Sequence, residues 1–92
     1  MKTFYSVLFA SLFCTSVLAC EKPKAPDLPD PQTAVTPQMI KAKRDLQRYL
    51  VEAEAYLKCV DDDRGHNSMV DEMKGKAATF NDIVNEYKKR MQ

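Results

Sequence analysis

The 92-residue sequence predicts an all-α fold, an antiparallel two-helix hairpin preceded by a cleaved signal peptide and a proline-rich extended segment. Three observations lead there. The chain opens on an apolar run with a single early cation, its prolines then crowd into one short stretch, and the remainder carries apolar residues at alternating steps of three and four. That last spacing is the signature of helices packed on one another.

The N-terminal run places Lys2 before an uncharged segment rich in Phe, Leu, Val and Ala, which ends in Val17-Leu18-Ala19 and turns at once to charged residues after Cys20. A basic start, an apolar middle and a small-residue exit form the order of a secretory signal. Residues 1–19 are therefore expected to be removed on export to the periplasm. Of the 14 basic residues only Lys2 leaves with that segment, so 13 remain against 13 acidic ones. A neutral chain without a basic block is a poor ligand for a polyanion, and nucleic acid is excluded as a partner.

Cys14 falls within the signal, which leaves Cys20 and Cys59. Two fates compete for Cys20. Val17-Leu18-Ala19-Cys20 is similar to a lipobox, whose cysteine becomes a lipid-modified N-terminus and would anchor the chain to a membrane. Alternatively, Cys20 pairs with Cys59 as a disulfide, in keeping with an even cysteine count in an oxidising compartment. Each uses the Cys20 sulfur, so the two exclude one another.

Residues 20–36 form a proline-rich tether, with four of the five prolines between Pro23 and Pro31. Polyproline II extends by about 3.1 Å per residue, enough for this tether to run back along a helix and bring Cys20 to Cys59. The hairpin occupies 37–92, as a helix over 37–60, a turn over 61–67 and a second helix over 68–91.

Thr36 and Pro37 suit the cap and the first position of the first helix, with Val35 and Ile40 placed as a hydrophobic staple. Its stripe reads Met39, Ala42, Leu46, Tyr49, Ala53, Tyr56 and Val60. Asp61-Asp62-Asp63 opposes the negative end of the helix dipole, and Gly65 suits a left-handed terminator. Ser68 with Asp71 matches a capping box for the second helix. The second stripe reads Val70, Met73, Ala77, Phe80, Val84, Tyr87 and Met91. Docked antiparallel, these stripes pair Ala53 with Ala77, Tyr49 with Phe80 and Met39 with Met91.

A single two-helix seam rarely offsets the conformational entropy of so small a domain. Leu50 and Leu57 flank the first stripe, Met69 and Ile83 the second. These four are the candidate interaction surface, to be covered by a homo-oligomeric partner or another envelope protein.

The string Tyr56-Leu57-Lys58-Cys59, followed by His66-Asn67-Ser68-Met69-Val70-Asp71-Glu72-Met73 and Phe80-Asn81, resembles a family of small exported proteobacterial proteins of unknown function. The resemblance implies a cysteine near the mature N-terminus, a proline-containing stretch and a helix ending in Tyr-Leu-x-Cys, and it implies no activity.

Catalytic constellations are not expected. Gly65 and Gly75 cannot form a phosphate-cradling loop, and no Gly-x-Ser-x-Gly occurs. Asp61, Asp63 and Glu72 stand at the first, third and twelfth places of a calcium loop, but His66 occupies the glycine position. The sequence thus points to a non-catalytic envelope protein without cofactor or metal, an interaction or structural module, the alternative being weak ligand or metal binding at the acidic turn.

Overall fold

A computed structural model describes residues 20–92 of the chain, so the expected signal peptide lies outside the described residues. The described part is an all-α hairpin, with helix α1 at Thr36–Cys59, helix α2 at Asp63–Met91 and no strand. Residues 20–35 precede α1 as an extended strap.

The strap enters α1 through a turn set by Asp30. Its carboxylate accepts the Gln32 N–H at 2.9 Å, and its carbonyl accepts the N–H groups of Thr33 and Ala34 at 3.2 and 2.9 Å. Such side-chain-to-backbone bonds are the reason Asp initiates turns. Val35, in extended conformation, is the N-cap residue. Its N–H donates to the Gln38 side chain at 2.9 Å, while the Thr36 hydroxyl, expected to cap α1, instead bonds the Tyr87 hydroxyl of α2. Val35 and Ile40, the expected staple, are each about half exposed, at 56% and 48%.

The turn is much tighter than the expected 61–67. Helix α1 ends at Cys59, and Asp62 already caps α2, its carboxylate accepting the Gly65 N–H at 3.0 Å. The acidic run that opposes the dipole of α1 favours the positive start of α2, so the same residues stop one helix and begin the next. Ser68 and Asp71 therefore lie inside α2 rather than at its cap. Gly65 does not have positive φ. A Cβ there would stand 3.0 Å from Asp62 Oδ1 and 3.1 Å from Val60 Cγ2, so a larger residue would have to push these side-chain ends aside.

The early start of α2 slides its pairing by about two turns. Ala53 shares a buried cluster with Met69 rather than meeting Ala77, and Met39 shares one with Ile83 rather than meeting Met91. Tyr49 bonds Glu72, while Phe80, its expected partner, packs against both buried clusters. The stripe of α1 is buried as expected at Met39, Ala42, Leu46, Tyr49 and Ala53. On α2 the buried residues are Met69 and Ile83, whereas Ala77 and Met91 are exposed.

Two clusters make up the core. The one nearer the turn contains Leu46, Tyr49, Ala53 and Met69, with Ala25 of the strap packed against it. The other, nearer the start of α1 and the end of α2, joins Ala34, Met39 and Ile83, with Leu28 of the strap against it. The strap is thus a third element of the core, supplying apolar cover that two helices lack.

Candidate functional site

The strap is fastened at both ends and in between. Cys20 and Cys59 sit at disulfide distance with Cα atoms 5.6 Å apart, inside the range that a cystine requires. Of the two sequence alternatives for Cys20, this is the disulfide geometry. At the other end, the Arg90 guanidinium donates from Nε to the Pro31 carbonyl at 2.9 Å and from its terminal nitrogen to the Ala34 carbonyl. The guanidinium also lies over the Tyr87 ring, 5.4 Å from its centroid.

Between these ends, Glu72 joins all three elements. One carboxylate oxygen accepts the Tyr49 hydroxyl of α1 at 2.9 Å, and the other faces the Lys22 ammonium of the strap at 3.2 Å. The Tyr49 hydrogen bond, assisted by Lys22, holds Glu72 below the usual glutamate range in spite of its burial. Burial and then the neighbouring carboxylate push the Tyr49 phenol above its ordinary value. This explains how a glutamate can face a helix seam: a part-buried carboxylate is tolerated when its oxygens are paired.

The strap covers only one flank of the hairpin. Asp27, Leu28 and Pro29 meet Gln38, Lys41 and Asp45 of α1 around a cleft of about 230 Å³. On the opposite flank no strap residue intervenes. There Met39, Ile40, Phe80, Val84 and Tyr87 line an open groove of about 400 Å³ with Lys43 and Lys88 at its sides. Leu50 and Leu57 follow Ile40 and Lys43 at helical spacing, half-buried against the cluster nearer the turn, as is Met73 of α2.

The four residues of the expected interaction surface therefore separate. Leu50 and Leu57 stand on the uncovered flank. Met69 is fully buried and Ile83 is 9% exposed, so both belong to the core and neither can dock a partner. The groove is lined instead by Ile40 and by Phe80 and Val84, residues expected in the seam and half-buried against the core clusters.

No protein-family model, curated protein or solved structure matches the chain. Its own geometry thus carries the functional argument. Among the described residues, no three His, Cys, Asp or Glu side chains converge as metal ligands, Asp62 being held as a cap and Glu72 by Tyr49 and Lys22. Nor is any helix of the described residues long and apolar enough to cross a membrane.

Proposed function

We propose that the chain is an exported, non-catalytic interaction module of the cell envelope, a strapped helical hairpin that docks another protein surface through its uncovered flank. The observation that carries this reading is the apolar groove of Ile40, Phe80 and Val84 opposite the strap. A groove with an apolar floor and charged sides has the character of a binding surface, apolar at its centre and polar at its rim. The disulfide distance of Cys20 and Cys59 supports an oxidising compartment, in agreement with the N-terminal secretory pattern. It also favours the cystine over a lipid-modified Cys20, since the sulfur serves only one of them.

A photo-crosslinking amino acid at Ile40, with a control at the exposed strap residue Lys24, tests the docking reading in intact cells. Protein adducts from position 40 and none from position 24 are expected. Equal labelling from both, or none from position 40, would overturn it. Intact-mass and peptide analysis of the recovered chain tests the export reading: a first residue of Cys20 linked to Cys59 is expected, whereas a retained residue 1–19 segment or a diacylglycerol thioether on Cys20 contradicts it.

A further inference from the structure

The uncovered flank is not uniform in charge. Lys43 of α1 and Lys88 of α2 stand at the sides of the groove, at the end where α1 starts and α2 finishes. Toward the turn the same flank carries Glu54, which is exposed. This flank therefore has a basic end at the groove and an acidic position nearer the turn. A partner that satisfies both must itself be acidic opposite the first and basic opposite the second.

An inverted copy of the same chain meets that requirement. Ile40, Lys43, Gln47, Leu50, Glu54 and Leu57 follow one another at steps of three and four along the uncovered flank. Ile40 is 48% exposed, Leu50 and Leu57 are half-buried, and the three polar residues are exposed. The stripe reads as its own antiparallel complement: reversed on itself, it sets Ile40 against Leu57, Lys43 against Glu54 and Gln47 against Leu50. An isologous contact of this kind repeats each pair about a two-fold axis, so one residue pair contributes twice. Opposed parallel copies would instead bring Lys43 toward Lys43 and Glu54 toward Glu54.

We propose that the occupant of the uncovered flank is a second copy of this chain, docked antiparallel through α1 with Lys43 of each copy facing Glu54 of the other. This rests on the docking reading above and names its partner. The contact closes a four-helix assembly with the two straps on its outer faces, where the Cys20–Cys59 pairs stay clear of the interface.

Sedimentation equilibrium of the protein with its cystine intact, from micromolar to millimolar, tests the proposal against Lys43→Glu, Glu54→Lys and the double variant. Both side chains are exposed and make no ion pair with another element, so the helical content of the monomer should not change. Each single change turns two attractive contacts repulsive and should weaken dimerisation about tenfold, and the double variant should restore it. A monomer throughout the range would overturn the proposal, as would a dimer indifferent to the single changes or one that the double variant fails to restore. Adducts from position 40 to a different protein, with the chain itself monomeric, would leave the docking reading standing and remove only its self-association.

Discussion

The two flanks of α1 differ in what completes them. On one, the strap brings Ala25 and Leu28 to the core and Lys22 to Glu72, and its ends are held by the Cys20–Cys59 pair and by Arg90. On the other, Ile40, Phe80 and Val84 border an open groove. A hairpin too small to be stable on one seam has thus been completed on one side from its own chain. The lesson is that the strapped flank carries stability and the open flank is free to carry recognition.

The contrast can be broken most severely at the cystine. The pair closes a loop with a sequence separation of 39 residues, for which the chain-entropy model gives about 4 kcal/mol. Replacing both Cys20 and Cys59 by Ser should remove most of that and free one end of the strap, read as a fall in the urea midpoint of unfolding. Met69→Ala comes next. Met69 is fully buried between the helices, and truncating such a residue costs roughly 2–5 kcal/mol, visible in the same measurement.

Glu72→Gln should cost less, about 1 kcal/mol, because Gln still accepts the Tyr49 hydroxyl but loses the charge facing Lys22. Its effect on pH dependence is more diagnostic. Glu72 is depressed in the folded state, so its contribution is complete above the ordinary glutamate value of about 4.3 and is lost as pH falls through the lower folded value. Tyr49 is raised, so its contribution is complete below about pH 10 and is lost as pH climbs through its higher folded value. Stability measured by denaturant titration should decline on both sides, with Glu72→Gln flattening the acid limb and Tyr49→Phe the alkaline one.

Much of this architecture is legible in the sequence. The stripe from Met39 to Ala53 is buried as its spacing requires, and proline content alone marks the strap. The register of α2 is not legible, for a specific reason. Two overlapping stripes fit its residues, one unbroken through Val70, Met73, Ala77, Phe80 and Val84, the other running Met69, Glu72, Lys76, Ile83. Periodicity selects the unbroken one. The fold selects the interrupted one, because Glu72 finds partners in Tyr49 and in Lys22, the latter on a strap remote in sequence. Met73, Phe80, Val84 and Tyr87 of the unbroken stripe still pack against the two clusters from the side of the open groove, so the sequence reading misplaced the centre of the α2 face and lost only Ala77 and Met91 to the surface. The acidic turn misleads similarly, since Asp61–Asp63 signals the end of one helix and serves equally as the start of the next.

The difference between the flanks is tested most directly by placing the same charge on each, Leu28→Asp on the strap and Ile40→Asp beside the groove. The urea midpoint is then measured for both variants at micromolar concentration with the cystine intact. Leu28 is half-buried against the cluster nearer the start of α1, so its variant should lose about 1 kcal/mol or more. Ile40→Asp should stay within about 0.5 kcal/mol of the parent, as exposed substitutions generally do. Equal losses, or a greater loss at Ile40, would contradict the division of the hairpin into a structural flank and a docking flank.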